Sequence, residues 1–345
     1  MSGSIFCTHS QGATALLTAR SMKQLQYTSV LGLLASRQQQ QDVSLAPHCA
    51  VRWPAPDGLA FAQALELHGD LTLEAGTVVH LTERLILKGN RMYRVTGAPD
   101  GDCTLFSSAH SLIQLAGRHA RLELQNLKLQ HTCNNPDKRE VGSALFLLGR
   151  TQARLSNCEI SSTKGFGLWM VQSSSCHLQN CTVRSCGRTG LACLGIGTLD
   201  IVDSTIEDCA VHGICARGTT TVSAERTAFI NNAVRAIYAY GNTVVTISEC
   251  TVSGTRAEGY MGTKCRAAAA IEIESKRIDD TVTVQLKGLT ATDNLGADVR
   301  LSGQVKYLLQ GCSECRVEIV EHEGLVPEAL PSIDDGPRPE RAASF

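Results

Sequence analysis

The chain has 345 residues, enough to bury a large core in one long domain or two ordinary ones. Its 32 basic and 33 acidic residues leave no net field to gather nucleic acid or an anionic membrane, and no apolar run approaches bilayer-spanning length. Thirty glycines against two Trp, six Tyr and seven Phe suit short strands and tight corners better than packed helices.

The first segment, 1–56, has no Asp or Glu before Asp42 and carries Arg20, Lys23 and Arg37 among Ser, Thr and an apolar pattern of helical spacing over 13–36. That composition also fits an organelle transit peptide. A secretory signal's charged start and continuous apolar run are missing, so a cytoplasmic protein with reduced thiols is expected, with an organelle as the alternative. Over 58–69, GLAFAQALELHG predicts a short helix that caps the strands beyond it, because an open sheet edge needs a cover. The stretches 69–97 and 111–130 then alternate apolar and polar residues in short runs.

From Ala144 the alternation becomes a strict repeat. Five units of 23 residues begin at Ala144, Gly167, Gly190, Gly213 and Ala236. Their second positions read Leu145, Leu168, Leu191, Ile214 and Ile237, and their fourth Leu147, Met170, Cys193, Ala216 and Ala239. A second pair of columns starts from Ala153 and Leu155, and a third from Cys158 and Ile160. Each unit thus carries three short strands with one apolar side, which cannot fold alone and must stack. Residues 270–294 and 298–320 add looser coils, for nine or ten in all, and the Pro-rich stretch 326–345 reads as unfolded.

The expected fold is all-β: a single-stranded right-handed parallel β-helix over 57–325, three short strands per coil, rising about 4.8 Å per coil behind an N-terminal helical cap. Its fifteen cysteines, an odd number, fall largely in inward columns. Cys158, Cys181 and Cys250 share one with Ser204 and Thr227, and Cys186 and Cys209 share another with Thr163 and Asn232. Small, readily buried thiols are therefore expected as interior filler rather than as disulfides or metal ligands. The CxxC of Cys312 and Cys315 stands alone, which favours a loop over a metal or redox site. No cofactor and no metal are expected.

The helix followed by GDLTLEAGTVV, the LILKGNRMYRVTGA coil and the five units resemble the pectin-lyase-like, parallel β-helix repeat family over about three quarters of the chain. The resemblance implies either a polysaccharide lyase or hydrolase, or a non-catalytic recognition module inside cells. Paired catalytic segments of the polygalacturonase kind are missing, with only Asp279–Asp280 and a His212–Gly213 corner in their place.

Outward positions of the first strand read Phe146, Trp169, Ala192, Cys215, Tyr238, Glu272 and Arg300 in one column, and Leu148, Val171, Leu194, Arg217, Tyr240 and Glu274 in the next. Four aromatics on one face of an aromatic-poor chain mark an interaction strip. Two irregular insertions, 131–142 and 254–267, leave at the corner before this strand and would flank it. The first functional expectation is a non-enzymatic scaffold or recognition module. Phe146, Trp169, Tyr238, Tyr240, Arg217 and Arg300 would hold a protein partner, or a glycan, without nucleic acid or membrane. The alternative is a carbohydrate-active enzyme in which Glu272 and Glu274, about 7 Å apart by two residues' rise, serve as acid and base, and Arg217 and Arg300 neutralise uronate carboxylates or, in a lyase, Arg217 takes a proton.

Overall fold

A computed structural model describes residues 52–53, 57–99, 101–108, 111–132, 142–256, 269–277, 280–312 and 314–320. The helical pattern over 13–36, the tail 326–345 and most of both insertions lie outside these residues.

The N-terminal cap forms as the sequence predicts. Its helix runs Gly58–His68, opened by Asp57, whose side chain accepts from Leu59 N at 2.9 Å, and closed by Gly69 in the left-handed region at φ 76°. Phe61 and Leu65 are fully buried against the first coil. Among the described residues no helix is long and apolar enough to cross a membrane.

Everything after the cap winds through three faces. The first carries Phe166–Gln172, Leu191–Gly195, His212–Gly218, Arg235–Gly241, Ala269–Glu274, Ala297–Ser302 and Val317–Val320. On the second lie Ser175–Gln179, Thr198–Val202, Thr221–Glu225, Val244–Ser248, Val282–Lys287 and Val305–Gln310. The longer strands Ile113–Gln125 and Ser143–Ser156 run unbroken from the first face onto the second, which joins the two into one sheet, of 19 strands among the described residues. The third face is a separate sheet, with nine strands among the described residues, from Val78–His80 to Thr290–Thr292.

Every rung pairs in parallel with the next, Leu168 beside Leu191, Cys176 beside Leu199 and Ile160 beside Val183, so the 23-residue columns are physical stacks. The fold is a right-handed parallel β-helix. Pairing begins before residue 57: Arg52–Trp53 already lies beside Thr72–Leu73, a strand too short to show a period.

Corners explain how three strands fit into so few residues. Between the second and third faces a single residue turns the chain in the left-handed region: Asn126 (φ 55°), Asn157 (53°), Asn180 (51°), Asp203 (50°), Arg226 (45°) and Glu249 (54°). Asn and Asp tolerate that region better than most residues. At the corner between the first and second faces Gly149 has φ 95°, and a Cβ there would sit 2.4 Å from Gly117 O, so glycine is required by both torsion and space.

The inward columns are buried as expected, with one slip. Thr163 is exposed, and Ser162, fully buried, takes the position level with Cys186, whose following amide donates to Ser162 O at 2.7 Å. Later units insert a left-handed Ser185, Asp208 or Asn231 after the third strand; the first unit extends that strand to Ser162 instead.

Candidate binding site on the first face

The outward side of the first face gathers an aromatic strip. Phe146 stacks on Trp169 at 4.8 Å between centroids, Phe166 tilts against Trp169 at 5.4 Å, and further along the axis Tyr238 meets Tyr240 at 5.0 Å and His212 at 5.2 Å. Phe146, Trp169 and Tyr238 are half-buried. Ala192 and Cys215, small residues set between Trp169 and Tyr238 in the same column, are buried, and so is Tyr240. Trp169 Nε1 is a buried donor with no hydrogen-bond partner among the described residues.

Charged groups surround the tyrosine end. Arg235 donates from Nε to Glu272 Oε2 at 2.7 Å and lies 4.4 Å from the Tyr238 ring centroid. The Tyr238 hydroxyl donates to Glu274, and Lys276 pairs with the same carboxylate at 3.3 Å. Lys276 also lies 3.9 Å from the Tyr240 ring centroid, with Arg217, which is exposed, at 5.6 Å. Burial, the Glu274 carboxylate and the hydrogen bond to it push the Tyr238 phenol well above its usual range, so it stays protonated at neutral pH.

Glu272 and Glu274, the expected acid and base, stand on one face in register with Tyr238 and Tyr240, and each has partners of its own. Glu272 is buried, 8% exposed, and tied to Arg235, while Glu274 is held by Tyr238 and Lys276. The two glutamates share a face, and each meets a cation outside the alternating strip, Arg235 for the buried Glu272 and Lys276 for the half-buried Glu274. Arg300 sits half-buried beside Glu272 in register.

Phe166, His212, Arg235 and Lys276 were missed by the period. Counting back by twos from Ile214 puts His212 inside, yet its ring packs on the outward Tyr238. Alternation breaks because Gly213 occupies the inner side of the corner, where a Cβ would lie 2.6 Å from Ala236 O and 3.2 Å from Asn232 Nδ2. The glycine column at the unit starts was the available signal of that break.

The cysteine columns hold no metal arrangement: among the described residues no group of three His, Cys, Asp or Glu is placed to bind an ion. Cys312 and Cys315 pack at the last corners, their thiols directed at the Leu286 and Leu289 carbonyls. Burial pushes the Cys315 thiol up to about 11 and Cys193 up to about 12, far from the thiolate a ligand or nucleophile needs.

Residues 143–313 match the family model described as right handed beta helix region. Among solved structures, the chain is similar to an alginate lyase from Paenibacillus sp. str. FPU-7, at 10% identity and a TM-score of 0.50, over 79% of this chain and 98% of that one. It is also similar to the Dettilon tailspike protein, at 13% identity and 0.45, over 76% of this chain and 64% of that one. A third similarity is to the catalytic unit of a GH87 alpha-1,3-glucanase from Streptomyces thermodiastaticus strain HF3-3, at 13% and 0.30, over 83% and 70%. No curated protein sequence matches. At these identities the likeness is one of fold.

Proposed function

We propose that this β-helix recognises a carbohydrate chain along its first face and does not cleave it. The observation that carries the reading is the aromatic strip from Phe146 to Tyr240, bordered at one end by Arg217, Arg235 and Lys276. Aromatic rings offer apolar faces to the C–H side of a sugar, and fixed cations and amides meet its hydroxyls or carboxylates. The alginate lyase of the same fold makes a polysaccharide the class to test first.

Recognition is favoured over cleavage by the state of the ionisable groups. A hydrolase needs two carboxyl groups facing the glycosidic bond, whereas Glu272 is tied to Arg235 and Glu274 accepts from the Tyr238 hydroxyl. A lyase needs a base, and the Tyr238 phenol is held protonated.

Calorimetric titration with polysaccharides of defined composition tests the reading, with chain length of the polymer followed in parallel. Trp169→Ala and Tyr238→Ala are expected to weaken binding about tenfold or more while costing about 1–2 kcal/mol of stability, since both rings are only half-buried. Steady shortening of the polymer would replace recognition with catalysis. Capture of a protein partner lost in the same variants, with no glycan bound, would return the strip to a protein-docking scaffold.

A further inference from the structure

The second face carries a feature that the repeat did not announce. Its central outward column reads Asp70, Arg94, Glu123, Arg154, His177 and Asp200, each in register with the next. Two residues along each strand stand Thr96, Gln125, Ser156 and Gln179. Between the two columns runs a groove of about 550 Å³, floored by Leu124 and Leu155 and walled by these polar side chains. Beyond Asp200 the same column turns to Ser223, Thr246, Gln285 and Leu308, so the charged ladder is confined to the first half of the solenoid.

Within the ladder, charges are satisfied at both ends and left open in the middle. Arg94 bridges Asp70 at 3.2 Å and Glu123 at 2.8 Å, and His177 Nδ1 meets Asp200 Oδ2 at 2.7 Å. Arg154 lies between these pairs, exposed, and makes no ion pair among the described residues. A single uncommitted guanidinium in a row of hydrogen-bonding groups is a place for one carboxylate or sulfate, with hydroxyls to either side. The rungs repeat every 4.8 Å or so, close to the length of one sugar residue in an extended chain, so successive sugars would meet successive rungs.

We infer that this groove is a second binding site, which takes an anionic oligosaccharide with its acidic group on Arg154 and its hydroxyls on Glu123, Gln125, Gln179 and Asp200. The site goes beyond the first-face reading and does not depend on it.

Three hexasaccharides, one of uronic acid, one sulfated and one of neutral glucose, are titrated calorimetrically into the full chain, Arg154→Ala, Trp169→Ala and the Gln125→Ala/Gln179→Ala double variant. The expected result is that an anionic hexamer binds more tightly than the neutral one. Its affinity for the groove should fall about tenfold or more in Arg154→Ala and measurably in the glutamine variant, while Trp169→Ala leaves that binding event in place and removes only what the first face contributes. Which of the two anionic hexamers binds better tells carboxylate from sulfate. Arg154, Gln125 and Gln179 are all exposed, so an unchanged melting transition accompanies the loss. The site is overturned if Arg154→Ala binds like the parent, or if neither anionic hexamer binds. An effect of Trp169→Ala without one of Arg154→Ala sinks the groove and leaves the first-face reading standing.

Discussion

Among single residues, the cysteines show how one side chain meets two demands. Cys158, Cys181 and Cys250 follow the left-handed corner, and each directs its thiol to the carbonyl two residues back at 3.3–3.4 Å and to a second carbonyl in the coil below. Ser204 and Thr227, in the same column, donate to the equivalent carbonyls at 2.8 and 3.0 Å. The column therefore selects a small side chain that fills space and donates weakly, which Cys, Ser and Thr share and Ala lacks. Filler was legible in the sequence; the donor role needed the corner geometry. Asp298 is the sharper case. It is 3% exposed and accepts from Arg316 Nε at 3.1 Å, Arg316 N at 2.9 Å and Asn294 Nδ2 at 3.1 Å. Burial raises its pKa, but the Arg316 and Asn294 bonds together outweigh that and hold it below the usual carboxylate range. A depressed folded pKa contributes stability that is present above the unfolded value, near pH 4, and is lost as pH falls through the folded one. Asp298→Asn is expected to cost about 2 kcal/mol at pH 7 and to flatten the acid limb of a stability-versus-pH profile measured by urea unfolding.

For the strands and their corners, the bend between the second and third faces does more than turn the chain. Asn157 Nδ2 donates to Asn126 Oδ1 at 3.1 Å and Asn180 Nδ2 donates to Asn157 Oδ1 at 2.7 Å, a side-chain ladder that climbs from coil to coil. Asn126 continues it to Gly97 O at 3.2 Å, and further along Arg226 clasps Asp203 at 2.6 and 3.1 Å. Left-handed torsion and a ladder bond both favour Asn here. Asn157→Ala should lower stability by about 1–2 kcal/mol and Asn157→Gly by less, because glycine loses the bond but not the torsion. The midpoint of urea unfolding, at constant slope, separates them. Asn157 and Asn180 stand one repeat apart, so the corner column is visible in the sequence, but its left-handed role appears only with the dihedral angle.

For the molecule as a whole, stacking makes three apolar columns into one interior. Ile206, Phe229 and Val252 occupy successive rungs of the third face, and Phe229 is among the largest fully buried side chains. Its removal in Phe229→Ala should cost about 3–5 kcal/mol, read from the same urea midpoint, while Phe146→Ala, half-buried outside the solenoid, should cost less. The assembly also decides what each outer face offers. The first face collects aromatics with glutamates held by Arg235, Tyr238 and Lys276, and the second collects a charged ladder with one uncommitted arginine among the described residues. Stacking by 23 would have placed Arg154, His177 and Asp200 in one column from sequence, yet Asp70, Arg94 and Glu123 belong to coils of other lengths and join that column only through the strand register.

Residue order was enough to dictate the coil, the three strands within it and the side chains that face inward. Burial of an apolar side every second residue, renewed after each 23, has no other low-energy arrangement than stacking. Which outward groups are free was settled only once the coils lay against one another. Whether Glu272 is a candidate acid or the partner of Arg235 depends on a cation 37 residues away in the chain and one rung away in space. Inter-rung bonds are legible in advance only where both partners stand 23 apart, as Asn157 and Asn180 do; Arg235 and Glu272 are joined across an irregular insertion, and only the folded chain matches them.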